Sequence, residues 1–325
     1  MAFPLCAAAI TVATVVNAGT AAAAGHDEAL PNYPLAYMAI DAESGVCMIV
    51  GSEESGAKSA TWLREDGEWK KVGEGPKLLL TSTFEYHAAS ETFVLLGGTL
   101  SEQHRVATDD CWLFRNGRWE EFDGEKPPAR YRSEMSYDPN RERIVLFGGV
   151  GTMAFLDDTW EFDGKAWQKI DVTGPFQRYA PAMAFDRESK TTVLFGGYKA
   201  GAAYNNETWE YDGESWRQID PQGKLPIHRF GGAMTTNPQG GVAMFSGFVA
   251  DADLWEYRKG AWKQIHDGRA PVHATDGIPA KRRWAAFAYD PLEHAYVLYG
   301  EPNAERQSPA IWWKFTDGKW ERLKN

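Results

Sequence analysis

Residues 130–149 read RYRSEMSYDPNRERIVLFGG, and residues 157–170 read DDTWEFDGKAWQKI. In the first stretch Met135 and Tyr137 recur at a period of two, which places both side chains on one face of an extended strand. Asp138-Pro139 then marks a turn. The apolar run Ile144 to Phe147 is a second strand, and it ends in Gly148-Gly149, a pair suited to positive φ or close backbone approach. In the second stretch two short strands flank Asp163-Gly164, a hairpin signal. The unit is therefore four short strands, A to D. It returns at once as RYAPAMAFDRESKTTVLFGG over residues 178–197 and NNETWEYDGESWRQI over residues 205–219.

Outward from these two copies the register holds along the chain. Twelve of the 14 tryptophans form six pairs spaced by seven: Trp62/Trp69, Trp112/Trp119, Trp160/Trp167, Trp209/Trp216, Trp255/Trp262 and Trp313/Trp320. Their first members lie 50, 48, 49, 46 and 58 residues apart. A repeat of this length is one supersecondary unit that buries its apolar faces only by stacking on its neighbours. The twelve tryptophans are accordingly core residues. The widest interval holds the connection from His266 to Lys281, a long loop of the kind that often carries function.

The pattern R-x-x-x-x-M-x-[YF]-D, then LFGG, then D-T-W-E-[YF]-D-G and a second Trp resembles the kelch repeat in its bacterial form, over residues 33–325. The resemblance implies an all-β, six-bladed kelch-type β-propeller with four antiparallel strands per blade. Strand A would line the axis and strand D the outside. The D–A and B–C connections would share one face, which usually carries the binding site. No permuted closing strand is apparent, so closure of the ring is expected to rest on blade packing.

Two finer expectations follow from the repeat. A two-residue turn at Asp163-Gly164 sets Trp160 directly opposite Trp167, and the same pairing is expected in all six blades. Arginine begins strand A in four blades (Arg130, Arg178, Arg229, Arg282), and four blades carry an acid two residues before the first Trp (Asp110, Asp158, Glu207, Asp253). Shifted by one blade, presence matches presence and absence matches absence, which predicts ion pairs between neighbouring blades: Asp110 with Arg130, Asp158 with Arg178, Glu207 with Arg229, Asp253 with Arg282.

Composition narrows the function. The chain has 325 residues with 34 Lys plus Arg against 45 Asp plus Glu, a net charge of −11. That argues against a general nucleic-acid binder. Its three cysteines make no CxxC and no disulfide framework, and no zinc or nucleotide-binding motif appears. Cys47 falls in strand B and Cys111 at a position held elsewhere by Thr61, Thr159 and Thr208, so both read as buried thiols rather than parts of a copper–radical centre. No cofactor or metal is expected. Residues 1–25 hold an apolar run from Leu5 to Val16, too short to span a bilayer, followed by small residues, which fits a secretory signal without a basic start. The expectation is a secreted or periplasmic monomer with one propeller domain over residues 26–325 and no membrane span.

Where six copies agree, residues are architecture; where one copy departs, they are site candidates. Blade three carries Arg132 and Glu134 where the other blades hold mainly small or apolar residues. These two are the candidates for acid–base chemistry, with a local Arg132–Glu134 salt bridge as the simpler reading. The wider set of candidate ligand-binding residues is Arg132, Glu134, Trp284, Arg283, His228, Arg105, Tyr131 and Tyr179, with the two tyrosines equally readable as interblade packing. Glu85 and His104 also depart from the repeat, whereas His87 stands at a turn position usually held by Asp and reads as structural. Two functions remain open. One is a binding module that takes a glycan, a small anionic ligand or a protein through the loop face. The other is a sugar-acid mutarotase or epimerase-like enzyme working in the central funnel. Sialic acid mutarotases resemble this chain in being secreted six-bladed kelch proteins.

Overall fold

The computed structural model describes residues 33–323 except 34, 54, 66, 102–105, 202–204, 249–250, 269–284 and 301–310. Six four-stranded sheets follow one another along the chain, each built from four strands in sequence order. The only helical turn among the described residues is a single 3-10 turn, Ala88–Ser90. Every ladder within a sheet is antiparallel; in blade three Glu134–Asp138 pairs with Arg143–Val150, that strand with Phe155–Phe162, and that one with Trp167–Ile170. The A strands are Leu35–Ile40, Thr83–His87, Glu134–Asp138, Ala182–Asp186, Ala233–Thr236 and Ala286–Asp290. Each touches the A strand of the next blade, and the sixth touches the first, so they form a closed inner ring. Strand B is the most buried layer: Ile144, Val145, Leu146 and Phe147 are all fully enclosed.

The tryptophans share a face as expected, but their register differs from the sequence reading by two residues. Trp167 lies opposite Phe162, and Trp160 lies opposite Lys169. The same shift holds in every blade, with Arg64, Phe114, Tyr211, Tyr257 and Phe315 opposite the second Trp. In blades three and four the cause is the aspartate. Asp163 Oδ1 accepts the amides of Lys165 and Ala166 at 2.9 and 2.8 Å, which opens a four-residue loop. Asp212 does the same for Glu214 and Ser215. The tight two-residue turns occur instead where glycine comes one place later, as at Asn116-Gly117, whose φ values are 52° and 75°.

The second Trp of each pair reaches the preceding blade. Trp119, Trp216 and Trp262 donate through Nε1 to the hydroxyls of Thr61, Thr159 and Thr208 at 2.9, 3.0 and 3.0 Å. In blades three to five the first Trp hydrogen-bonds within its own blade, donating to the acid two residues before it: Trp160 to Asp158, Trp209 to Glu207, Trp255 to Asp253.

That acid holds the arginine of the same blade, which overturns the interblade pairing. Arg130 binds Asp158, Arg178 binds Glu207 and Arg229 binds Asp253, at 2.8, 2.6 and 2.7 Å. All three arginines are buried. Each also donates to the carbonyl at the end of its own strand B, Gly148, Gly196 or Ser246. The arginine does join two blades, but by its backbone: the carbonyls of Arg130 and Arg229 accept from Gly98 and Gly197 of the blade before. Asp110 is exposed, and Arg282 lies outside the described residues. Shared absence across an interface therefore reported two blades that lack the motif, not a contact.

Among the described residues, ring closure uses packing, a hydrogen bond from Tyr33 N–H to the Tyr299 hydroxyl at 3.1 Å, and an ion pair. Blade one and blade six each keep four consecutive strands among the described residues, with no strand exchanged between them. Arg64 of blade one holds both oxygens of Asp290 of blade six, at 2.5 and 3.0 Å. Trp69 packs on Trp312 with ring centroids 5.9 Å apart. The predicted thiol burial holds as well: Cys47 and Cys111 are fully enclosed, and burial pushes the Cys111 thiol up to about 12.

Candidate functional site

The A strands enclose an axial cavity of about 1360 Å³. At the entry to the strands runs a belt of backbone, of which Thr81 and Arg132 line the cavity. Arg132 N–H donates to Thr81 C=O, Ala180 N–H to Arg132 C=O, and Gly231 N–H to Ala180 C=O, at 2.9, 2.7 and 2.9 Å. These four residues all take left-handed conformations, with φ of 58°, 56°, 51° and 62° along the chain. For the three that are not glycine this backbone is strained, and the interblade hydrogen bonds hold it.

Two sequence candidates meet at this cavity. Arg132 lines it from the belt, and Glu134 lines it from the start of strand A in the same blade. The Arg132 guanidinium lies over the Tyr179 ring at 5.3 Å and near the Tyr131 ring at 5.8 Å, within cation–π range. It does not lower the Glu134 carboxyl. Burial, and then the neighbouring negative charge of Glu85, push Glu134 up to about 8. The expected neutralising salt bridge between Arg132 and Glu134 is thus not what these side chains form.

Glu85, on strand A of blade two, completes the group. Its carboxyl is pushed up to about 7 by burial, against an opposing hydrogen bond from its own neighbour, Tyr86 N–H, at 2.8 Å. Both glutamates keep some contact with the cavity, yet protein surrounds them closely enough to disfavour their charged forms. Their protons belong to the pair rather than to either residue. Near neutral pH the wall therefore presents a guanidinium and a pair of carboxyls that burial disposes to keep a proton. That set offers hydrogen-bond donors to an anionic group and an acid–base pair within one wall.

The remaining sequence candidates separate. Tyr131 is buried and pairs its backbone with Val150. Tyr179 stacks on Tyr198 at 5.2 Å and meets Phe155 and Phe230 edge-on at 4.9 and 5.6 Å, so its ring ties blades three, four and five together. Tyr179 thus serves interblade packing, and the Arg132 guanidinium lies over its ring. His228 is exposed and stands outside the cavity lining. Trp284, Arg283 and Arg105 lie outside the described residues, as do most of the loop from His266 to Lys281 and His104. His87 is structural, as expected: it is buried, its Nε2 lies 3.0 Å from Glu142 C=O and its Nδ1 accepts from Ser90 N–H.

One cavity residue escaped the sequence reading. Arg187 lines the far end, in the A–B turn of blade four. The signal was available, because the matching turn position holds Pro139, Pro238 and Pro291 in three other blades.

This architecture decides the comparison with known proteins. The chain matches the KLHDC2/KLHL20/DRC7 Kelch-repeats domain over residues 84–300. It belongs to the kelch-repeat family. Among solved structures this kelch propeller is similar to YjhT, with a TM-score of 0.66 and 13% sequence identity, covering 91% of this chain and 99% of that one. At that identity the likeness speaks for the fold alone. No curated protein matches. No helix among the described residues is long and apolar enough to cross a membrane.

Proposed function

We propose that this kelch propeller binds a small sugar-acid ligand in its axial cavity, with Arg132 facing the ligand's carboxylate and Glu134 donating a hydrogen bond to it. The observation that carries the reading is the convergence of Arg132 and Glu134, two departures from an otherwise regular repeat, on one cavity of about 1360 Å³. That volume exceeds an ordinary small-molecule pocket, so there is room for a pyranose ring together with ordered water. A protonated Glu134 suits an anion better than an ionised one, which would repel it. Residues 1–25 act in this reading as an export signal, supported by their apolar run and small residues.

The raised carboxyls favour a second reading of the same site, an enzyme that interconverts sugar-acid isomers. Two carboxyls near 7 and 8 hold one proton to give and one place to accept it at neutral pH.

A calorimetric screen of the whole protein against uronic acids and their uncharged parent sugars tests the binding reading. The acids should bind and the parent sugars should bind more weakly; equal binding of both removes the role given to Arg132. Exchange of anomers followed by proton NMR tests the second reading. Acceleration that is lost in Glu134→Gln supports an enzyme, and an unaltered exchange rate leaves a binding module.

A further inference from the structure

We propose that Arg187 anchors a second anion-binding subsite at the A–B end of the axial cavity, and that Glu43 is a built-in counter-ion which an anionic ligand group displaces. The inference rests on the reading of the cavity as a ligand site and adds a group that the reading does not use.

The geometry begins with the ring. The inner strands follow the order of blades one to six and close on themselves, so blades one and four face each other across the axis. Glu43 belongs to the A–B turn of blade one, after strand Leu35–Ile40; Arg187 belongs to that of blade four, after strand Ala182–Asp186. Arg187 Nη1 and Glu43 Oε1 stand 3.3 Å apart. The ion pair therefore spans the axis between opposite blades. Both residues line the same cavity as Arg132 and Glu134.

Nothing in the blade architecture requires this arginine. Three other blades use proline at its position, and proline fixes φ for the turn without any charge. The structural arginines of the repeat are buried and grip their acids with one or two hydrogen bonds, adding further bonds to backbone carbonyls. Arg187 instead has a side chain about a quarter exposed, at 27%, and its partner Glu43 is 71% exposed. An ion pair with one member in solvent adds little to stability. Arg187 Nε is buried and makes no hydrogen bond. Arg187 lines the cavity, its Nη1 held by a carboxylate that is itself largely in solvent and its Nε left without a partner. Asp41, the other acid of the blade-one turn, is occupied in accepting Ser44 N–H and Oγ–H, and so does not compete for Arg187. A carboxylate or phosphate entering the cavity meets the planar fork that such groups bind two bonds at a time.

Displacement gives the two partners opposite effects, which a merely structural strap does not. Calorimetric titration of the full chain with glucuronate and with glucose 6-phosphate, with glucose as the uncharged control, distinguishes the cases. Glu43→Gln should tighten binding of at least one anion by about threefold to tenfold, and Arg187→Gln should weaken it by about tenfold or more. Glucose should respond to neither change. Glu43 is exposed, so its variant folds; Arg187→Lys, which keeps the charge and loses the fork, should fall between wild type and Arg187→Gln. Failure of both anions to bind Glu43→Gln, or equal affinities in wild type, Glu43→Gln and Arg187→Gln, overturns the proposal. Anion binding lost in Arg132→Ala but indifferent to Arg187 keeps the main site and removes this subsite. The reverse pattern keeps the subsite and removes the reading centred on Arg132.

Discussion

Arg130 and Asp158 belong to one blade and grip each other twice: Nη1 donates to Oδ1 at 2.9 Å and Nη2 to Oδ2 at 2.8 Å. Trp160 Nε1 donates to the same Oδ2 at 2.7 Å. The three side chains lock strand A to strand C, and the Arg130 carbonyl then accepts from Gly98 of the blade before. One residue thus fixes the inside of a blade and its seat on the neighbour.

Removing the acid should leave a buried guanidinium without its charge partner. Asp158→Asn is expected to cost about 3–5 kcal/mol in urea unfolding, because breaking a buried pair costs more than the pair contributes. Arg130→Met combined with Asp158→Leu should recover a large part of that loss. A double variant no more stable than Asp158→Asn would contradict the within-blade lock.

The tryptophan seam predicts a smaller effect. Trp216 Nε1 is buried with its proton on Thr159 Oγ1. Thr159→Val keeps the shape and strands the indole N–H, which should cost about 1–3 kcal/mol. Thr159→Ser keeps the hydroxyl and should cost less, since it loses only a methyl group. Equal losses in the two variants would remove the hydrogen bond from the account.

The carboxyls set opposite pH slopes. Glu207 is held down to about 2 by its Lys199, Arg178 and Trp209 hydrogen bonds, which outweigh its burial, so it contributes stability above about pH 4.5 that is lost as the pH falls toward 2. Glu85 and Glu134 are raised, so the folded protein holds protons that the unfolded chain releases from about pH 4.5 upward. Stability therefore declines between about pH 4.5 and pH 8. Thermal unfolding of Glu85→Gln/Glu134→Gln should show a flatter curve from pH 5 to pH 8 than wild type. An unchanged slope over that interval would place the two carboxyls outside the low-dielectric wall.

The fold was legible because the kelch repeat writes each blade in the same letters: one strand of period two, one apolar run ending in glycines, one hairpin marked by tryptophans. Six copies supplied the register that a single copy lacks. The hairpin detail escaped because Asp163 captures two amides with its side chain, and a side-chain bond of that kind leaves no trace in a spacing argument. The arginine pairing escaped for a different reason. The pattern of presence and absence was correct, but it cannot tell a side chain that turns back into its own sheet from one that crosses to the next. At the site, Arg132 and Glu134 stood out as departures from the repeat, and the structure brings both to the cavity. Glu85 became important only beside Glu134, a neighbour across a blade boundary. Arg187 was visible as a proline replaced, yet its meaning depends on a glutamate 144 positions away that the ring carries to the opposite side.

In the proposed function the axial cavity takes an acidic sugar against Arg132. Isothermal titration of glucuronate into wild type and Arg132→Ala at neutral pH tests it most directly. Glucuronate should bind wild type saturably, with affinity weakened by about tenfold or more in Arg132→Ala, as expected for loss of a charged hydrogen-bond partner. Saturable binding of equal affinity in the two proteins would contradict it.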